Sequence, residues 1–156
     1  MRFSWDIQVS EAPILAGERL DAFAQAHPAS GGIASFLGQV RNVTPDDPTQ
    51  SLMLQSHPKL THPGIEAACA ATVERFDLDG GSVIHRTGLI AHGEAIVLVL
   101  CASRHRRDSL GAVDYLMDYL KTRAVFWKRE DKASGSEWVE PRTEDYADAK
   151  RWETGS

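Results

Sequence analysis

Twelve residues, "YLKTRAVFWKRE" at 119–130, set Lys121, Arg123, Lys128 and Arg129 around an apolar Phe126–Trp127 pair. On one continuous helix Lys121 and Lys128, seven apart, would share a face. The pattern changes near Ala124, because Val125-Phe126-Trp127 is β-branched and aromatic and suits a strand. The reading is therefore a helix ending just after Lys121 and a strand carrying Lys128, which lets two ammonium groups approach one cavity from different elements. A lysine in the last turn of a helix also complements the helix dipole, so Lys121 alone does not prove a site.

Two further segments add cationic groups. "ASRHRRD" at 102–108 lies between the most apolar run of the chain and a helical pattern. At such a junction His105 can exchange a proton near neutral pH, and Arg106 can hold a phosphate through two parallel hydrogen bonds. "FLGQVRN" at 36–42 ends a strand in Gly, then Arg41 and Asn42. Arg41 reads as a phosphate clamp or as a surface residue at a strand end. His85 and Arg86, in "HRTG", read as structural. His27, His57, His62 and His92 stand beside Pro or Gly or in loops, without metal-ligand spacing. There is no Walker A loop, no GxGxxG and no GxSxG.

Charge distribution supports an anionic ligand. The 156 residues carry a net charge of −5. Residues 104–132 nevertheless hold eight Lys/Arg against five Asp/Glu. A cationic patch on an anionic body favours a small anion drawn to one place and argues against general nucleic-acid binding. Cys69 and Cys101 sit in apolar patterns and read as buried free thiols, in keeping with a reducing, cytoplasmic setting. The longest apolar run, "AIVLVLCA", is far short of a membrane helix, and "MRFSWDIQVS" lacks the apolar core of a secretory signal.

The elements that must position these groups follow from periodicity. "RFSWDIQVS" alternates Phe3, Trp5, Ile7 and Val9 as a strand, "AGERLDAFAQA" is a short helix, and "IASFLGQVRN" is a second strand. "VTPDDPTQ" is a loop and "SLMLQSH" a strand. "THPGIEAACAATVERF" is the clearest helix, with Ile65, Ala68, Cys69, Thr72, Val73 and Phe76 on one face. Gly80-Gly81 reads as a turn. "SVIHRTG" and "EAIVLVLCAS" are strands separated by "LIAHG". A third helix runs from Asp108, as N-cap, to about Ala124, burying Leu110, Val113, Leu116 or Met117, and Leu120. "VFWKRE" and "SEWVE" close the series as strands. Loops too short for crossover helices favour an α+β fold with a largely antiparallel sheet and about three helices. No linker divides the chain, so residues 1–156 read as a single domain.

In order along the chain, "FLGQVRN", "VIHRTGLIAHGEAIVLVLCASRHR", "MDYLKTRAVFWKRE", and "WVEPR" with a trailing "AKRW" resemble the large, catalytic subunit of molybdopterin synthase, over about residues 31–152. The resemblance implies a hammerhead-type α+β fold. It implies a sulfurtransferase that turns cyclic pyranopterin monophosphate (precursor Z) into molybdopterin by installing the dithiolene sulfurs. Sulfur would arrive as a thiocarboxylate on the C-terminal Gly-Gly tail of a small β-grasp, ubiquitin-like sulfur-carrier subunit. The large subunits would form a homodimer at the centre of a heterotetramer and lend residues to each other's sites, with no cofactor, metal, nucleic acid or membrane involved. By matching motifs, Lys121 and Lys128 are the catalytic lysines. Gln39, Val40, Arg41, His105, Arg106, Arg129, Glu130 and Arg142 join them in binding substrate. The chain departs from the pattern at Val125, where Pro is usual, at Gln39, where Lys is common, and at Leu110, where Phe is usual. The rival readings are a non-catalytic α+β module holding a phosphate, nucleotide or RNA end, and a scaffold that docks a ubiquitin-like protein without chemistry.

Overall fold

The computed structural model describes residues 3–41, 46, 49–124, 126–139 and 143–153. Arg142 and Val125, and most of the 43–50 loop, lie outside the described residues.

The most apolar run builds the centre. β6 (Ala95–Ser103) lies between β4 (Gly80–Arg86) and β2 (Gly32–Gln39) in a sheet ordered β1-β4-β6-β2, with β1 at Asp6–Ser10. Covered on both faces, β6 sends Val97, Val99 and Cys101 to one side and Leu98, Leu100 and Ala102 to the other, which is why its sequence is apolar without alternation. Among the described residues only β1 and β4 pair in parallel; the other pairings of this sheet are antiparallel. On one face lie α2 (Thr61–Arg75) and α3 (Arg106–Arg123), whose Ile65, Ala68, Cys69, Ala112, Val113, Leu116 and Leu120 complete the main core. Both hydroxyls buried in α2 are partnered: that of Thr72 donates to the Ala68 carbonyl at 2.7 Å, and that of Thr61 accepts the His57 N–H at 2.6 Å. On the other face α1 (Ala16–Ala26) adds Phe23.

The second sheet, ordered β5-β3-β7-β8, is antiparallel throughout: β5 (Gly88–Ala91), β3 (Thr49–Ser56), β7 (Phe126–Lys132) and β8 (Gly135–Val139). Leu52, Leu54 and Ile90 on its inner face pack with Val40 and Phe126. Gly88, at φ 83°, turns the chain from β4 into β5, a backbone region that only glycine enters freely.

Four sequence expectations need correction. Gly80-Gly81 is not a turn but the start of β4, where the His27 and Trp5 rings fill the space a side chain would need. "LIA" of the supposed loop forms β5, a strand too short to show periodicity. α3 begins at Arg106, with His105 rather than Asp108 at its N-cap. The hydroxyl of the fully buried Ser103 donates to the His105 carbonyl, and that carbonyl also accepts the Asp108 N–H at 3.2 Å, so the chain enters the helix as soon as the strand ends. Leu110 is not buried; it is 59% exposed, and Ser109 and Ala112 take the inward positions. A fourth helix, α4 (Thr143–Lys150), follows β8; its sequence carries too few apolar residues to advertise it.

Candidate functional site

Three chain segments meet where the two sheets join. The first is the end of β2. A bulge between Gly38 and Gln39 breaks the ladder. Beyond it the Val40 N–H donates to the Glu94 carbonyl at 3.0 Å, and the Val40 carbonyl accepts from the Gly93 N–H at 2.8 Å. The Val40 side chain is buried in the core of the second sheet, so it fixes the position of its neighbours and does not itself line an open site. Gln39 and Arg41, on either side of it, are exposed.

The second segment is the end of α3. The helix packs on β2 and β6, with Leu116 and Leu120 buried beneath its last turns. Lys121 stands exposed in the final turn, beside Arg123, whose guanidinium reaches Glu153 at 3.3 Å.

The third segment is β7, where register assigns faces. Lys128 lies opposite Leu54 and Glu130 opposite Leu52, so both project from the face that carries the buried leucines. Both are partly buried, and Lys132 approaches Glu130 at 3.6 Å on the same face. Trp127, Arg129 and Asp131 take the opposite face. There Arg129 holds Asp131 at 2.9 Å and lies 5.9 Å from the Trp138 ring centre. The Arg129 hydrogen bond, with help from the Ser136 hydroxyl, keeps the Asp131 carboxyl below its usual range. Arg129 therefore lies across the strand from Lys128, not beside it.

A stacked pair anchors β7. The Phe126 ring lies on the His85 ring with centres 4.0 Å apart and planes 21° from parallel, between the two cores. Burial pushes the His85 pKa down to about 4, so the ring is neutral, and its Nδ1 donates to the Arg86 carbonyl at 3.1 Å. Arg86 in turn pairs with Glu94 at 2.8 Å, and Glu94 accepts the Ala91 N–H at 2.9 Å. This fits the structural reading of His85 and Arg86, and it ties the backbone around Val40 to the base of β7.

His105 and Arg106 are exposed at the other end of the molecule. They open α3 beside the first residue of β2: a side chain at Gly32 would lie 3.3 Å from the Arg106 Cα, so glycine permits that approach. Along the α3 axis Arg106 and Lys121 are about 22 Å apart, and along β2 Gly32 and Arg41 are about 30 Å apart. One copy of the chain thus holds two cationic groups: Arg41, Lys121 and Lys128 at one end, His105 and Arg106 at the other. Sequence reasoning supplied both groups but not the separation, which requires knowing that β2 and α3 run side by side in the same direction.

One contact network was missed altogether. Arg151 reaches Asp114 at 2.7 Å and Asp118 at 2.9 Å, and the Trp152 indole N–H donates to Asp118 at 2.7 Å. This holds the segment after α4 against α3, beside an open hollow of about 370 Å³ lined by Arg75, Tyr115, Tyr119, Arg123 and Trp152. The signal was present in "AKRW", yet charge pairing 33 or more residues apart is invisible in a linear reading. Cys69 and Cys101 are buried free thiols; burial raises both, Cys101 to about 12, so neither is a ready nucleophile. Among the described residues no cluster of three His, Cys, Asp or Glu could hold a metal, and no helix is long and apolar enough to cross a membrane.

The sequence profile of the family described as MoaE protein matches residues 9–123, which include Arg41, His105, Arg106 and Lys121. The chain belongs to the MoaE family. Among its relatives, the molybdopterin synthase catalytic subunit of Caulobacter vibrioides is 39% identical over 94% of this chain and 97% of that protein. The protein of the same name from Salmonella typhimurium is 40% identical over the same shares. Among solved structures, a MoaE protein from Burkholderia ambifaria superposes with a TM-score of 0.81 at 28% identity, covering 97% of this chain and all of that one. A Helicobacter pylori complex of subunits 1 and 2 of molybdopterin-converting factor shares the fold, at a TM-score of 0.70 and 18% identity over 88% of this chain and 91% of that one. The mixed α+β architecture of the two sheets and their helices is that of the MoaE family.

Proposed function

We propose that this chain is the catalytic, sulfur-transferring subunit of a molybdopterin synthase, acting on precursor Z with sulfur carried by a small subunit. The observation that carries the reading is the placement of Lys121 and Lys128 on two elements that meet at one junction, in a chain about 40% identical to proteins named for that activity along nearly their whole length.

The chemistry asks for what the junction offers. Sulfur leaves the acyl carbon of the thiocarboxylate and forms a carbon–sulfur bond to the pterin side chain. Water supplies the oxygen that returns the small subunit's tail as a carboxylate. Charge develops on the acyl oxygen during this exchange, and the Lys121 ammonium stabilises it. Lys128, partly buried among Leu54 and its neighbours, gives a proton to the leaving oxygen of the substrate. Arginines bind the cyclic phosphate through paired hydrogen bonds; Arg41 comes from the same copy of the chain, and His105 and Arg106 come from a second copy. Gln39 contacts the substrate beside Arg41, Val40 holds that segment in place, and Glu130 sets the charge around Lys128. Arg142 joins the phosphate contacts. The thiocarboxylated Gly-Gly tail enters over the end of α3.

Mixing the purified chain with thiocarboxylated small subunit and precursor Z tests the proposal. Molybdopterin should form. The Lys121→Ala protein should still assemble with the small subunit but lose about a hundredfold or more in rate, the usual effect of removing one such donor. A Lys121→Ala protein of unchanged activity would contradict the assignment and leave the docking-scaffold reading.

A further inference from the structure

Three consecutive residues after α4 are each tied to the C-terminal half of α3. The Arg151 guanidinium reaches Asp114 at 2.7 Å and Asp118 at 2.9 Å, carboxylates four residues apart and so on one face of the helix. The Trp152 indole N–H donates to the same Asp118 oxygen at 2.7 Å. Glu153 meets Arg123 at 3.3 Å. The Trp152 ring also spans to α2. Its centre lies 5.3 Å from that of Tyr115 on α3 and 6.1 Å from that of Phe76, just past the end of α2. The Arg75 guanidinium lies 5.4 Å from it. Arg151, Trp152 and Glu153 thus form a clasp over the α2–α3 pair.

Asp118 is the residue on which the clasp closes. Its side chain is only 13% exposed, with Arg151 and Trp152 bound to it. Its backbone carbonyl accepts the Thr122 hydroxyl at 2.9 Å, which ties it into the final turn. Lys121 is three residues further on, so the two side chains are neighbours on the helix surface. The helix ends without a glycine cap: Ala124 leaves it in extended conformation, at φ −76° and ψ 132°, just before β7. Leu116 and Leu120 hold that end from the core side, and the clasp holds it from the outside. The charged groups lining the adjoining hollow are engaged with one another or with its rings: Asp118 with Arg151, Arg123 with Glu153, Arg75 with Tyr115 and Trp152. The hollow therefore reads as packing and not as a ligand site.

We infer that Asp118 is a positioning residue for sulfur transfer: clasped by Arg151 and Trp152, it fixes the last turn of α3 and with it the point from which Lys121 reaches the acyl oxygen. This rests on the reading of Lys121 as the donor to that oxygen, and it adds what holds the lysine in place. A donor to a developing oxyanion acts through its fixed placement, and a misplacement of about 1 Å can cost about a hundredfold in rate. Ion pairs as exposed as that of Arg151, which is half exposed, contribute little to global stability. Opening the clasp is a local event at the end of one helix. Its loss therefore falls on the rate and not on the fold.

Steady-state kinetics on the full chain with thiocarboxylated small subunit and precursor Z test this, alongside hydrogen exchange on the same proteins. Arg151→Ala should lower kcat about tenfold, with the KM for precursor Z within about twofold of native. Arg151→Lys, which keeps the charge, should restore most of the lost rate. Trp152→Phe keeps the ring and loses the N–H, and its kcat should fall between those of the two Arg151 variants. In Arg151→Ala the amides of residues 118–123 should exchange faster than in the native chain, with those of 109–116 unchanged. Arg19→Ala removes a side-chain hydrogen bond to Gln8, between α1 and β1, and should leave kcat as it is. An Arg151→Ala protein of native kcat would overturn the inference. So would a loss that lysine does not rescue and that comes with faster exchange through the whole of α3. A native chain that makes no molybdopterin would instead refute the sulfur-transfer reading, while the exchange pattern still reports whether the clasp fixes the end of α3.

Discussion

At the scale of single residues, position on a face separates groups that look alike in the sequence. Lys128 and Arg129 are neighbours in the chain, yet β7 turns one toward the leucine-lined face and the other toward Asp131 and Trp138. Lys128→Ala should therefore lower kcat by about a hundredfold with little change in thermal stability. Arg129→Ala should mainly lower the unfolding temperature, because it strips Asp131 of its ion pair. Steady-state rates and melting curves of the two proteins check the contrast, and equal losses of kcat would remove it. That cationic side chains stand at the end of β2, at both ends of α3 and on β7 was legible in the sequence from charge type at element ends. The face assignment of Arg129 was not legible, because it depends on which partner strand supplies the buried leucines.

At the scale of elements, the His85–Phe126 stack holds the start of β7, and with it Lys128, against the main core. Its pH dependence has a definite sign. His85 titrates at about 4 in the folded chain against 6.5 unperturbed. The unfolded chain thus binds more protons between those values, and stability falls as pH drops through that window, by at most ~1.4 kcal/mol per pH unit, and is flat above it on this account. Melting temperatures of the native and His85→Gln proteins across the window should converge in acid; parallel curves would show that His85 contributes nothing. Leu116, fully buried one turn before Leu120, supports the end of α3. Leu116→Ala should cost about 3 kcal/mol in denaturant unfolding. The long elements were readable because an apolar stripe repeats over three turns in α2 and a run of nine residues in β6 stays apolar. β5 and α4 were not, since four residues cannot display a period and α4 carries mostly polar ones. Leu110 was assigned inward by spacing alone, but the buried stripe runs through Ser109, Ala112, Val113, Leu116 and Leu120, which leaves Leu110 to one side.

At the scale of the whole molecule, one copy of the chain carries two cationic groups a helix length apart, and the proposed function needs both. Lys121 lies at the end of α3 with Lys128 on β7 just after it, and His105 and Arg106 lie at the start of α3, one helix length from Lys121. Nothing in the sequence reports this, because the direction of β2 relative to α3 is a property of the assembled sheet. The most direct test is complementation between two inactive proteins, Lys121→Ala and Arg106→Ala, co-expressed and assayed for molybdopterin with thiocarboxylated small subunit and precursor Z. In a mixed dimer one site loses both groups and the other keeps both, so random pairing should restore about a quarter of the wild-type sites. Mixtures no more active than the two proteins alone, with mixed dimers shown to be present, would contradict a site shared between copies.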